Sequence, residues 1–167
     1  IDIETLSTAD NAKIIQISAI KFDDRHDVIW EFNQYPTSVP WQDHESENTV
    51  NRWNENPSKK SMLEYINLQN KTEISACLSE LKDFLTWNYP VWANSPTFDM
   101  RILDHALVLC WLDPIEYWRH ADIRTIKRYL VDQWKKNGHD SLDDCYNQLK
   151  IIRKFEDAIK DNSFKNL

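Results

Sequence analysis

Residues 1–7 read IDIETLS, and the two acids in that run decide how the chain is read. A β-strand sends residues i and i+2 to one face, so Asp2 and Glu4 project together while Ile1 and Ile3 face the other way. Two like charges held roughly 7 Å apart at the edge of an apolar element oppose each other's ionisation or pull the strand toward water. The pattern points to a missing positive charge at this end of the molecule.

Moving outward, KIIQISAIKF (13–22) and VIWEFN (28–33) are β-rich runs joined by the polar turn DDRHD (23–27), which reads as a hairpin. With the opening run they give three consecutive strands. Pro36, Pro40 and a polar stretch then lead into ENTVNRWNENPSKKSMLEYI (47–66), helical only in pieces. Thr72 is placed to N-cap TEISACLSELKDFLTW (72–87), in which Ile74, Cys77, Leu78, Leu81 and Leu85 share one face. A short apolar run, VWAN (91–94), precedes a helix over FDMRILDHALVLCWL (98–112) and a strand around IEYWRHADI (115–123). Asp122 is a natural N-cap for IRTIKRYLVDQW (123–134), and a last long helix follows NGHDS (137–141). Three strands in a meander, then helices alternating with strands, predict an α/β fold. Its mixed central sheet combines the meander with parallel strands and is flanked by helices.

The 167 residues suit one domain, 1–167, with a proper core. A hydrophobic content of 41% and eight tryptophans exclude a disordered chain. No apolar run approaches the roughly 18 residues that span a bilayer, so no membrane partner is expected. The first residue already belongs to a strand, which suggests a start inside a longer native chain, secretion is not expected, and Cys77, Cys110 and Cys145 form no C-x-x-C pair. Reduced thiols in a cytoplasm are expected, with neither disulfides nor a zinc site. The formal charge of -7 argues against a non-specific nucleic-acid binder. That objection fails where clustered acids hold divalent cations, because each bound ion adds two positive charges.

Two further acids have suitable settings. Asp99 lies just past a strand in WANSPTFDMRIL (92–103), where either Ser95, with Pro96 in the first helical position, or Thr97 caps the helix. Gly138 reads as a helix C-cap and Ser141 as the next N-cap, which puts Asp144 in a first turn. Helix N-termini favour negative charge at both places. On the last helix Leu142, Cys145, Leu149, Ile152 and Ile159 line one face, and Asp144 heads a neighbouring row with Ile151 and Phe155. Each acid has an ordinary explanation by itself, as a surface charge or a cap. The ordered set changes the odds.

That set is D-x-E in the first strand, F-D opening a helix, and H-x-x-x-x-D near the C-terminus. It resembles the DnaQ-like, or DEDDh, 3′-5′ exonucleases. The segments IDIET, WANSPTFDMRIL, YWRHADIRT, GHDSLDDC and TVNRWNENPSKK are similar to the phage exonuclease A-type branch. The resemblance implies a ribonuclease H-like fold and two divalent ions, Mg²⁺ or Mn²⁺, held by Asp2, Glu4, Asp99 and Asp144, with His139 as general base. It also implies that Thr5 and Leu6 meet the terminal nucleotide. The spacing selects Asp144 over its neighbour Asp143, which points elsewhere on the helix. Trp53 lies in the insert, with base stacking and core packing equally open to it.

In-line cleavage of a phosphodiester asks for such groups: a deprotonated water on one side and stabilisation of the departing oxygen on the other. Carboxylates suit Mg²⁺ or Mn²⁺ better than thiols do. The expectation is a metal-dependent exonuclease of single-stranded DNA or RNA, and the resemblance implies that it trims from the 3′ end and releases 5′-mononucleotides. The phage-type similarity tips the balance toward DNA. The alternatives are an exoribonuclease of the same fold, a non-catalytic nucleic-acid-binding module, and a two-metal phosphodiesterase acting on small nucleotides. Lys59, Lys60, Arg124, Lys127, Arg128, Lys135 and Lys136 form either a strand-guiding track or an ordinary solvated face. The oligomeric state stays open, a homodimer included.

Overall fold

The computed structural model describes residues 1–86, 88–130 and 140–161. Gly138, His139, Lys135 and Lys136 therefore lie outside the described residues. Strands β1 (Asp2–Thr5), β2 (Ile14–Phe22) and β3 (Val28–Gln34) pair antiparallel in that order, as the three β-rich runs predict. Asp2 lies opposite Ser18 and Glu4 opposite Gln16. The alternation of side chains gives this meander two unlike faces. Ile1, Ile3, Ile17 and Ala19 are buried in the main core, while Asp2, Glu4, Gln16 and Ser18 are buried on the other side among polar partners.

Helices α1 (Glu47–Glu55) and α2 (Pro57–Leu68) form the insert. They divide where Asn56 accepts a hydrogen bond from the Ser58 backbone and Pro57 takes a first helical position, which explains the fragmentary periodicity. Helix α3 (Ile74–Phe84) presents Ile74, Cys77, Leu78 and Leu81 to the core as expected. Its cap is Glu73, whose side chain accepts from the Ala76 backbone, and not Thr72. Thr72 is held elsewhere. Its hydroxyl donates to Gln34 Oε1 at 2.7 Å, and its backbone bonds to Tyr35 and Thr37.

Strands β4 (Val91–Ala93) and β5 (His120–Asp122) pair in parallel, with α4 (Pro96–Leu109) in the crossover between them. The Ile1 nitrogen donates to the Trp92 carbonyl at 2.7 Å, which brings the opening strand against β4. In the run 115–123 a short 3₁₀ turn, Tyr117–Arg119, precedes the strand, which is confined to His120–Asp122. Asp122 caps α5 (Ile123–Lys127) through the Arg124 backbone, as predicted.

The last helix, α6 (Ser141–Lys160), is capped by Asp140, which accepts from the backbones of Leu142 and Asp143. This corrects the reading of Ser141 as the cap. Ser141 occupies the first helical position, fully buried, with its hydroxyl 2.6 Å from that of Ser18. Ile159, expected on the buried face, is half exposed. Among the described residues the antiparallel meander and the parallel β4–β5 pair form two separate sheets where one mixed central sheet is predicted, and this α/β plan is compatible with a ribonuclease H-like fold. No helix among the described residues is long and apolar enough to cross a membrane.

Candidate metal centre

The polar face of the meander meets the first turns of α6. Three contacts fix that junction. The Ser18 and Ser141 hydroxyls bond to each other, the Ser141 backbone N–H donates to Gln16 Oε1 at 3.3 Å, and the Cys145 thiol donates to the Ser18 carbonyl at 3.3 Å. Burial pushes the Cys145 thiol up to about 12.

With α6 anchored in this way, Asp144 is aimed back at β1. Asp2, Glu4 and Asp144 are 4%, 8% and 5% exposed, and each offers a carboxylate oxygen such that all three atoms lie within 4.8 Å of one another. The opening acids thus belong to a group that spans the two ends of the chain. Asp143, next to Asp144, is exposed, as the helical register requires. One turn after Asp144, Gln148 donates through Nε2 to Asp2 Oδ1 at 2.9 Å and holds that carboxylate in place. Its Oε1 is buried and accepts no hydrogen bond among the described residues.

Asp99 lies at the start of α4, 4% exposed, where it accepts from the Ser95 backbone N–H at 3.3 Å. Ser95 holds the cap position and Pro96 the first turn. Asp99 is not among the three acids whose oxygens converge. Thr5 and Leu6 continue β1 and are buried, with the Thr5 hydroxyl donating to the Ser7 carbonyl at 2.7 Å. Trp53 is 5% exposed and packs with Leu6, Ile15 and Ile66. Its indole N–H donates to the Thr5 carbonyl at 3.1 Å. Core packing is thus the role its burial supports, and the tryptophan braces the segment just after the acids. His139 lies outside the described residues.

The donor set fits a hard divalent cation. It is made of carboxylate oxygens only, buried and convergent, with no thiolate or imidazole among them. Gln148, Gln16 and Ser18 are supporting residues that the motif reading passed over. Their signal was present: QIS puts two polar side chains on one face of an otherwise apolar strand, and Gln148 follows Asp144 by one helical turn.

Fold and site define a class, an α/β protein that gathers acids from strand β1 and helix α6 into one buried cluster. The chain belongs to the Rv2179c-like family: the model of the 3'-5' exoribonuclease Rv2179c-like domain matches residues 1–155. The family is one of 3′-5′ exonucleases, which agrees in kind with the resemblance drawn from the motifs, but it is not described as the phage exonuclease A-type branch. No curated protein matches the chain.

Proposed function

We propose that the protein is a divalent-metal-dependent exonuclease of the DnaQ-like type that shortens single-stranded RNA from its 3′ end. The observation that carries this reading is the convergence of Asp2, Glu4 and Asp144 on one buried point. RNA is preferred over DNA because the matched family is described by an exoribonuclease domain. Asp2, Glu4 and Asp144 would hold the cations, with Asp99 completing the set from the start of α4. Two such ions supply charge stabilisation at the phosphate and at the departing 3′ oxygen.

The remaining work falls to the chain itself. Gln148 orients the Asp2 carboxylate, and Ser18 and Ser141 keep the start of α6 against β2. Thr5 and Leu6, braced by Trp53, border the place of the terminal nucleotide. His139 accepts the proton of the attacking water. An imidazole with an ordinary pKa near 6.5 does this at neutral pH, and such bases contribute about 10² to 10⁴-fold.

The test is a time course on 5′-labelled single-stranded RNA and DNA side by side, in Mg²⁺ or Mn²⁺ and in chelator. The expected result is a ladder of products shortened from the 3′ end, faster on RNA and absent in chelator. Internal cuts, or cleavage that survives chelation, would overturn the reading.

A further inference from the structure

The bond from Gln148 to Asp2 uses only one end of the amide. Gln148 lies one turn beyond Asp144 on α6, 5% exposed, and lines a cleft together with Asp2, Asp144, Asn94 and Ile151. Its backbone has little freedom, because Ile151 and Ile152 of the same helix pack on Ile123 and Ile126 of α5. Asp2 settles which way the amide faces. An ionised carboxylate only accepts hydrogen bonds, so the NH₂ end of Gln148 is the one that meets Asp2 Oδ1, at 2.9 Å, and the oxygen end is left for something else. That oxygen, Oε1, is buried and accepts no hydrogen bond among the described residues. A buried acceptor in this state is costly, and a water or ion that arrives with function is one of the few things that accounts for it.

The chemistry of the cleft narrows the choice of donor. A nucleotide phosphate presents acceptor oxygens and cannot satisfy Oε1. A hydrated cation can. Mg²⁺ demands octahedral coordination, and three convergent carboxylates, with Asp99 added from α4, leave positions that the ion fills with the waters it sheds reluctantly. Those waters bring polarised hydrogens into a buried place that must supply acceptors for them. A side chain that already hydrogen-bonds a metal-holding carboxylate is placed to do so, as the partners behind metal ligands commonly are. We infer that Gln148 Oε1 accepts a hydrogen bond from a water carried by the cation at Asp2, so that one amide holds both a ligand and part of the ion's hydration shell. The inference rests on the metal-dependent reading proposed above and extends it to a residue outside the acid set.

The experiment uses the full chain, as wild type and as Gln148→Met, which keeps the length of the side chain and removes both polar ends. Wild-type crystals grown with Mn²⁺ are examined for manganese by anomalous scattering and for ordered water around Gln148. The expected result is a water bonded to manganese and within about 3.2 Å of Oε1. In Gln148→Met that water should be lost even where Asp2 keeps its position, and Mn²⁺ affinity measured by calorimetry should fall about 10- to 100-fold. A residue that only braces Asp2 would show no manganese-bound water on its oxygen. The inference is therefore overturned if, with manganese on the carboxylates, wild-type Oε1 meets only protein, ligates the metal directly, or finds a donor only when a nucleotide is added. Mn²⁺ affinity in a folded Gln148→Met within twofold of wild type also overturns it, and the wild-type crystal decides the question if that variant folds poorly. In all these cases manganese on the acids and an active wild type leave the nuclease reading intact. A wild type that takes up no Mn²⁺ at Asp2, Glu4 and Asp144 sinks that reading and the inference with it.

Discussion

Replacing Glu4 by glutamine should make the protein more stable without metal and nearly indifferent to metal. Glu4, Asp2 and Asp144 present oxygens within 4.8 Å of one another. At that separation, and an effective dielectric constant of about 20, two unit charges repel by about 3.5 kcal/mol. Glu4→Gln removes two of the three repelling pairs and keeps the side-chain volume. The gain is reduced because buried acids this close take up a proton rather than bear the full repulsion. A net stabilisation of a few kcal/mol remains, and at about 2–4 °C per kcal/mol for a chain of this size the melting temperature rises by several degrees. In Mn²⁺ the gap narrows. Saturation at a hundredfold excess over Kd adds about 2.7 kcal/mol to the wild type, while the variant, short of one ligand, gains much less. The assay is thermal unfolding followed by circular dichroism in chelator and in a Mn²⁺ series. A variant that melts below the wild type in chelator and still shows the full Mn²⁺ shift would refute the reasoning.

Three more expectations concern the frame around the site. Asp140→Ala should cost roughly 0.5–2 kcal/mol in urea unfolding through loss of the α6 cap, whereas Ser141→Gly should not mimic a cap loss, because the Ser141 hydroxyl serves Ser18 and not the helix end. Trp53→Phe should cost about 1 kcal/mol for the missing bond to the Thr5 carbonyl, and Trp53→Ala about 3–5 kcal/mol for the cavity; equal losses in the two variants would contradict the packing role. Burial raises the Asp104 carboxyl above its ordinary 3.8, so the folded state holds that proton longer than the unfolded one. Its contribution is fully favourable below about pH 3.8 and is lost as pH rises through the folded pKa. Asp104→Asn, which keeps the acceptor for the Ile115 backbone, should therefore gain on the wild type between pH 4 and pH 7 in parallel urea titrations.

Much of this was legible in the chain because it rests on local periodicity. The alternation in residues 13–22, the helical face of residues 74–81 and the D-x-E spacing of Asp2 and Glu4 each need only neighbours to be read. Helix caps shifted by a residue where tertiary contacts outweighed propensity: Thr72 was drawn to Gln34 and Ser141 to Ser18, leaving Glu73 and Asp140 as caps. Trp53 could not be assigned because its partners, Thr5, Leu6, Ile15 and Ile66, lie far away in sequence. Gln148 was passed over for the same reason: its bond to Asp2 joins residues 146 positions apart.

The most direct test of the central claim is anomalous diffraction from crystals of the protein grown with Mn²⁺. Manganese peaks enclosed by the carboxylates of Asp2, Glu4 and Asp144, and lost in crystals of Glu4→Gln, are the predicted result. Manganese found only elsewhere on the molecule, with those three carboxylates contacting none of it, would contradict the account.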